Sequence, residues 1–239
     1  GLIVVDTPVF WSPFGQATIM VLFQIGGFGI MTAATLLGLM AGRGFGLRDR
    51  MATQVERNRL DTGDAASVLK LVFAITIAVE AIVAVVLALR FALRYGMPFG
   101  EAAWHGLFHS ISAFNNAGFS SFSDSVMGFQ NDPMILGPIM LSVILTALGF
   151  PVMQDIRRHH LRWRRWSLHT KITVAGTVAL LVSGFLAILA MEWNNPATLG
   201  PMGVGAKVLN AAFHSVMPRT AGFNSLDVGG LHDETLMTN

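Results

Sequence analysis

Four apolar stretches in this sequence are each long enough to cross a lipid bilayer as a helix. They cover residues 14–41, 68–93, 133–152 and 172–191. A spanning helix needs roughly 20 mostly apolar residues. Only 13% of the residues are charged, about half of the ~25% that soluble domains carry. The sequence therefore predicts an all-α integral membrane protein that lies in a lipid bilayer.

Two further apolar stretches are too short to cross a bilayer. They cover residues 102–114 and 204–216, and apolar stretches of roughly 10–14 residues are typical of buried or re-entrant helices. Each is followed by a polar segment that contains a glycine, Gly118 in the first and Gly222 in the second. The sequence therefore predicts two short helices that enter the membrane without crossing it.

Basic residues are concentrated in two of the segments that connect the apolar stretches. Residues 42–70 and 154–171 together hold 12 of the 16 lysines and arginines. Because cytoplasmic loops of membrane proteins carry an excess of Lys and Arg, both links are predicted to be cytoplasmic. The short helices then enter from the extracellular face of a plasma (inner) membrane that the chain crosses several times.

A pair of motifs recurs along the chain. Phe-His-Ser at 108–110 returns at 213–215, an offset of 105 residues, and Ala-Gly-Phe at 117–119 returns at 221–223, an offset of 104. Solenoid repeats have periods of about 20–50 residues, so this period indicates duplicated membrane units instead. The predicted order within a unit is spanning helix, short helix, glycine segment and spanning helix.

The first residues resemble a further copy of the glycine segment. Asp6 follows Gly1 much as Asp124 and Asp227 follow the two later glycines. Because the chain begins with Gly rather than Met, we expect it to be an internal piece, with a fourth unit beyond Asn239. The predicted division is the end of a first unit (1–41), a cytoplasmic link (42–67), a second unit (68–153), a basic cytoplasmic link (154–171) and a third unit up to the start of its second spanning helix (172–239).

A short helix that ends in Ala-Gly-Phe supplies the chemistry of a cation filter. Irregular backbone at membrane depth is tolerated only where it is buried in protein or lines a water-filled cavity. Its carbonyl oxygens can replace the water around a dehydrated cation. Glycine allows the positive φ that exposing successive carbonyls can require, and the C-terminal end of the helix dipole favours the cation. The predicted fold thus arranges helix–pore-loop–helix units around a central ion pore.

Five segments resemble those of the Trk/Ktr/HKT superfamily of potassium transporters, and of the Ktr-type membrane subunit in particular. Residues 111–120 and 219–224 resemble the second and third pore loops of that superfamily. Residues 26–32, 148–152 and 167–171 carry further parts of the resemblance. The resemblance extends over nearly the whole chain.

The resemblance implies a potassium uptake subunit, which is not an enzyme, made of four units with one filter glycine each. It implies a homodimer and a cytosolic ring of nucleotide-binding regulatory subunits that gates the pore; this chain itself is expected to bind no cofactor and no nucleic acid. The resemblance also implies that potassium is the transported ion and that a serine in place of the first filter glycine would allow sodium to pass. The carbonyls assigned to potassium are those of Gly1, Asn116, Ala117, Gly118, Thr220, Ala221 and Gly222.

Five charged residues are predicted to support the filter. Asp6, Asp124 and Asp227 would concentrate cations at its outer mouth, or they are capping residues of solvated loops. Glu80 lies inside a spanning stretch, where a carboxylate is costly, so it either makes a structural hydrogen bond or ion pair or handles ions. Arg219 would clamp carbonyls and acids behind the filter, or lower ion occupancy by repulsion.

Three alternative functions remain open from the residues. A sodium-permeable transporter, or a sodium- or proton-coupled potassium transporter, would use the same architecture. A solute transporter with broken helices would usually show inverted repeats, whereas these units have the same orientation. An intramembrane enzyme would use His105, His109 and Glu80, but it would not explain the recurring motifs.

Overall fold

The computed structural model describes residues 4–41, 62–160 and 162–238, and for residues 30–41, 62–69, 71 and 238 it describes the helical backbone only. Gly1 and residues 42–61, which form most of the first basic link, lie outside the described residues. The described part is helical and contains no strand. Its helices are α1 (Thr7–Phe10), α2 (Pro13–Ala41), α3 (Thr62–Tyr95), α4 (Phe99–Phe114), α5 (Pro133–Leu148), α6 (Phe150–His159), α7 (Leu168–Glu192), α8 (Val204–Thr220) and α9 (Asp233–Thr238).

Two helices are long and apolar enough to cross a membrane among the residues whose side chains are described. They are Val72–Tyr95 in α3, with a mean hydropathy of 2.8, and Leu168–Glu192, with a mean hydropathy of 2.3. Large apolar side chains such as Ile82 and Leu180 are more than half exposed on their surfaces. In water such surfaces would be unfavourable, whereas acyl chains solvate them well. The prediction of an all-helical membrane protein is confirmed.

The third apolar stretch is not one straight helix, in contrast to the single span predicted over residues 133–152. α5 ends at Leu148, α6 begins at Phe150, and the two helices meet at an angle of 94°. Gly149 joins them with φ +82° and ψ 153°, a conformation essentially restricted to glycine. Pro151 has no N–H to continue the helical hydrogen bonds. The predicted boundary between the second unit and the basic link therefore falls inside α6.

A similar order of elements occurs twice in the described chain. A long helix (α3 or α7) is followed by a short helix that packs along it (α4 or α8), then by an irregular segment and another helix (α5 or α9). α4 approaches α3 so closely that a Cβ atom at Gly106 would lie 2.7 Å from the carbonyl oxygen of Ala84. The core lies where α3, α4, α5 and α8 meet, and its buried members include Leu87, Phe91, Ala113, Ile135, Ile139, Phe213 and Met217.

A carboxylate at the start of α5 ties this helix to the end of α3. Asp132 accepts hydrogen bonds from Arg90 Nε at 2.7 Å, from Tyr95 Oη at 3.1 Å and from the backbone N of Met134 at 2.9 Å. Burial by itself raises the pKa of the Asp132 carboxyl, but these donors outweigh burial and hold the pKa below its usual value. Asp132 is therefore ionised at neutral pH.

Candidate functional site

The segment after α4 reverses direction within a few residues. The backbone N of Asn116 donates to Ala113 O at 3.2 Å, and that of Ala117 donates to Ser112 O at 2.8 Å. Asn116 has φ +52° and Gly118 has φ +71°. Two left-handed residues so close together turn the chain away from the helix axis, and asparagine and glycine are the residues that adopt this conformation most readily.

The segment after α8 turns in a related way. The backbone N atoms of Ala221 and Gly222 both donate to Met217 O, at 3.1 and 2.9 Å. Gly222 has φ +81°, so the two predicted filter glycines that the structure describes, Gly118 and Gly222, both adopt a positive φ.

The two segments contact each other directly. Thr220 Oγ1 donates to Asn116 Oδ1 at 3.1 Å, and these residues are 104 positions apart, which is the offset of the Ala-Gly-Phe repeat. Further along, Asn224 N donates to Ser125 Oγ at 3.0 Å and Val126 N donates to Asn224 O at 3.1 Å. The equivalent residues Asn116 and Thr220 of the two units therefore face each other.

Several carbonyl oxygens in these turns accept no hydrogen bond from the part of the protein that the structure describes. Among the described residues, no hydrogen bond reaches the carbonyl oxygens of Asn116, Ala117 or Gly118, nor that of Gly222. Gly118 is buried, and a buried carbonyl without a partner is costly. These oxygens can therefore bind water or a cation.

Side chains of α4 make hydrogen bonds to the residues that follow Gly118. Ser112 Oγ donates to Phe119 O at 2.7 Å. His109 is fully buried, with Nε2 2.9 Å from Ser120 Oγ and Nδ1 2.8 Å from His105 O. Both ring nitrogens of His109 are thus occupied by hydrogen bonds, and its ring stacks on Phe122 with centroids 5.2 Å apart. This environment supports a packing role for the histidine.

Glu80 joins three helices behind the second segment. Its carboxylate accepts from Gln24 Nε2 in α2 at 3.1 Å and from Asn115 Nδ2 at 3.2 Å, and Asn115 Nδ2 also contacts Gln24 Oε1 at 3.1 Å. Ser110 Oγ donates to Glu80 O at 2.6 Å. The predicted structural hydrogen bond of Glu80 is therefore present, while a role in ion handling stays a prediction.

Among the polar residues of these networks that were missing from the predicted site, two lie within predicted spanning stretches. Gln24 contacts Glu80, and Thr146 Oγ1 accepts a hydrogen bond from Asn116 Nδ2 at 2.9 Å. The available signal was a hydrogen-bonding side chain within an apolar stretch, which usually faces other helices rather than lipid.

Arg219 occupies the place in the third unit that Asn115 has in the second, 104 residues earlier. It is exposed in the last turn of α8, and within the described ranges no acidic side chain forms an ion pair with it. It lines a cavity of about 310 Å³ together with Gly184 and Ser215. Gly184 and Phe185 lie 104 and 105 residues after Glu80, the two offsets of the repeated motifs, so the third unit has no acid at this place. The predicted clamp on an acid is not seen in the described part of the chain.

The three predicted mouth aspartates are exposed. Asp124 Oδ2 accepts from Gly128 N at 2.9 Å, and Asp227 Oδ1 accepts from Gly229 N at 3.0 Å. Asp6 precedes α1 without a side-chain capping bond. The hydrogen bonds of Asp124 and Asp227 correspond to the loop-capping alternative, and attraction of cations stays a prediction for all three.

Side chains that could hold a resident metal do not converge in the described chain, where no three His, Asp or Glu residues form such a group. His105 Nδ1 lies 2.7 Å from Ser121 Oγ, whereas Glu80 contacts Gln24 and Asn115 instead. The three residues of the alternative intramembrane enzyme are therefore not joined in one hydrogen-bonded set.

Spanning apolar helices and paired glycine turns define a multi-span membrane protein. The chain belongs to the TrkH family of cation transport proteins, whose family model matches residues 2–238. The predicted resemblance to potassium transporters of the Trk/Ktr/HKT superfamily is thereby confirmed.

Three relatives show how far this similarity extends. Ktr system potassium uptake protein B of Bacillus subtilis (strain 168) is 40% identical over 237 residues, covering 99% of this chain and 53% of that protein. The protein of the same name from Vibrio alginolyticus is 38% identical, covering 95% and 50%. Potassium/sodium uptake protein NtpJ of Enterococcus hirae is 32% identical, covering 95% and 49%. The chain spans about half the length of the curated relatives it matches.

Proposed function

We propose that this chain forms part of a potassium uptake protein that conducts dehydrated monovalent cations past backbone carbonyls. One observation carries the proposal: two glycine turns, 104 residues apart, face each other and leave carbonyl oxygens to which no described residue donates a hydrogen bond. Such oxygens can replace the hydration shell of a cation. The printed names of the relatives, which are potassium uptake proteins, support potassium as the ion.

The proposed filter uses the carbonyls of Gly1, Asn116, Ala117, Gly118, Thr220, Ala221 and Gly222. The C-terminal ends of α4 and α8 meet at the two described turns, so their helix dipoles add negative potential there. The three acids at positions 6, 124 and 227 would draw cations towards the mouth. A transport protein of this kind needs no catalytic residue and no cofactor in this chain.

The proposed whole is a ring of helix–pore-loop–helix units around one pore in the plasma (inner) membrane. The order of α3–α5 and α7–α9 supports the second and third units, with the division predicted from the sequence. Links 42–70 and 154–171 lie in the cytoplasm, and the filter opens to the outside. We further propose a homodimer whose pore is gated by a ring of cytosolic nucleotide-binding subunits; the word "system" in the relatives' names supports partner subunits.

A sodium-permeable or sodium- or proton-coupled transporter is the second candidate. The observation that favours it is the 32% identity to a protein named for both potassium and sodium uptake. A solute transporter with broken helices has less support. The bend at Gly149 is a helix break of the kind that such transporters have, but the same chain contains two glycine turns whose carbonyls suit a dehydrated ion.

Replacement of the filter glycines tests the proposal. The full-length parent protein, expressed with its cytosolic partner in cells that lack other potassium uptake, is assayed for potassium, rubidium and sodium uptake. We expect the wild type to prefer potassium and rubidium, and Gly118→Ser and Gly222→Ser to lose that preference. A side chain at φ +71° or +81° is strained and would move the adjoining carbonyls.

Gly96→Ser is the matched control. Gly96 also has a positive φ, of +67°, but no atom lies within 4 Å of a Cβ built there, and it precedes α4 rather than following it. Gly96→Ser therefore introduces a backbone strain similar to that of the two filter substitutions, but at the opposite end of α4 from the filter. The ion preference of this variant should stay as in the wild type. Unchanged preference in well-folded Gly118→Ser and Gly222→Ser proteins would contradict the filter assignment, and a wild type that prefers sodium would favour the second candidate.

A further inference from the structure

We propose that Glu192 is a positioning residue for ion selectivity, which holds in place the far end of the glycine turn after α8, the turn that contains Gly222. This inference rests on the proposed function. Glu192 is the last residue of α7, and none of its surface is exposed. Neither the recurring motifs nor the predicted filter includes it.

Four donors surround the carboxylate of Glu192. One oxygen accepts from Asn195 Nδ2 and from Thr198 Oγ1, both at 2.6 Å. The other accepts from His232 N at 2.9 Å and from Thr235 Oγ1 at 2.5 Å. A buried carboxylate is stable only when its hydrogen-bonding capacity is filled in this way.

These donors come from both sides of the glycine turn. Asn195 and Thr198 belong to the loop that leads into α8, whereas His232 and Thr235 belong to the start of α9. Asn195 Nδ2 also donates to Gly230 O at 2.8 Å. The segment that contains Gly222 leaves α8 and ends in α9, so Glu192 attaches its far end to the end of α7.

The same end of α7 also holds the start of α8. Lys207, in the first turns of α8, donates from Nζ to Trp193 O at 2.6 Å, and its ammonium lies 4.6 Å from the centre of the Trp193 ring. α8 and the segment after it are thus attached at both ends to two consecutive residues. A shift of this anchor would move the backbone that carries the filter carbonyls.

The second unit makes the same attachment with different residues. There the carboxylate of Asp132 stands at the start of α5 and accepts from Arg90 and Tyr95 at the end of α3. In the third unit the carboxylate is that of Glu192 on the long helix α7, and it accepts hydrogen bonds from neutral donors at the start of α9. Both units therefore join the long helix before the glycine turn to the helix after it.

Only a carboxylate satisfies this set of donors. Asn195 Nδ2 and His232 N can only donate, and they point at different oxygens of Glu192. A glutamine must direct its own NH₂ group at one of them in either orientation, which leaves a buried donor unsatisfied. Glu192→Gln therefore disturbs the anchor with almost no change in volume.

Uptake selectivity in the full-length protein tests this role, with protein amount measured in the same membranes. We expect Glu192→Gln to lower the potassium-to-sodium uptake ratio by on the order of tenfold. Thr235→Val removes one donor at nearly constant shape and should lower the ratio by less, whereas Thr235→Ser keeps the hydroxyl and should restore it. Asp233→Asn, which removes an exposed acid from the same helix α9, should leave the ratio unchanged.

A residue that served only stability would change the amount of protein without changing the ratio. The proposal is overturned if Glu192→Gln and Thr235→Val both keep the wild-type ratio; if Glu192→Gln yields no protein, Thr235→Val against Thr235→Ser decides. If Gly222→Ser alters the ratio and the anchor variants do not, the proposed function stands and this inference fails. If the wild type shows no preference for potassium, both fail.

Discussion

Gly27 in α2 packs closely against the glycine turn that follows α4. A Cβ atom built on Gly27 would lie 2.7 Å from Cγ of Asn115 and still closer to its side-chain oxygen. Asn115 in turn contacts both Gln24 and Glu80. The contact between α2 and the turn therefore depends on the absence of a side chain at position 27.

At the residue scale we expect Gly27→Ala to weaken this contact, because the methyl group must displace Asn115 from its two partners. Overpacking of this kind usually destabilises by about 1–3 kcal/mol. The measurement is the melting midpoint of the purified full-length protein, together with rubidium uptake.

Gly26→Ala is the control for that experiment. Its built Cβ meets no atom within 4 Å, and alanine has the higher helix propensity, so the midpoint should stay or rise. Equal effects of the two neighbouring substitutions would argue against the packing described for Asn115.

At the scale of elements, the bend between α5 and α6 depends on Gly149. Its φ of +82° with ψ of 153° is disfavoured for every residue with a Cβ, at a cost of about 1–3 kcal/mol. We expect Gly149→Ala to lower the melting midpoint of the full-length protein.

Gly137→Ala, in the middle of α5, provides the comparison. Its Cβ would meet no atom within 4 Å, and its backbone is helical, so the substitution should be neutral or stabilising. A Gly149→Ala protein as stable as Gly137→Ala would show that the bend does not require a glycine.

At the scale of the whole molecule, the second and third units are joined through their equivalent residues Asn116 and Thr220. A double-mutant cycle with Thr220→Val and Asn116→Gly isolates this hydrogen bond, because backbone effects of each single change cancel. Glycine suits the positive φ at position 116. We expect a coupling free energy of about 0.5–1.5 kcal/mol, measured by denaturation of the full-length protein.

Thr220→Ser keeps the hydroxyl and is the control, with little expected change in stability. If the effects of Thr220→Val and Asn116→Gly on stability were additive, the two turns would not support each other through this hydrogen bond.

Local sequence predicted the helices well but not their joints. Apolar length indicated α3 and α7, because a chain in lipid must satisfy its backbone within a helix. The bend at Gly149 was not predicted, since a glycine and a proline at the end of an apolar stretch are equally compatible with a simple helix end.

Apolar length and recurring motifs are local properties of the chain, so they are enough to predict a helical membrane protein and the positions of its two described glycine turns. Which side chains meet is not a local property: Glu80 contacts Gln24 and Asn115, Thr220 contacts Asn116, and Glu192 contacts the start of α9. In the sequence, Glu80 lies 56 residues from Gln24 and 35 from Asn115, and Thr220 lies 104 residues from Asn116. Glu192 lies 40 and 43 residues from its two partners at the start of α9. A hydrogen bond needs its atoms within about 3 Å, and that proximity is set by how the helices pack, which no local pattern encodes.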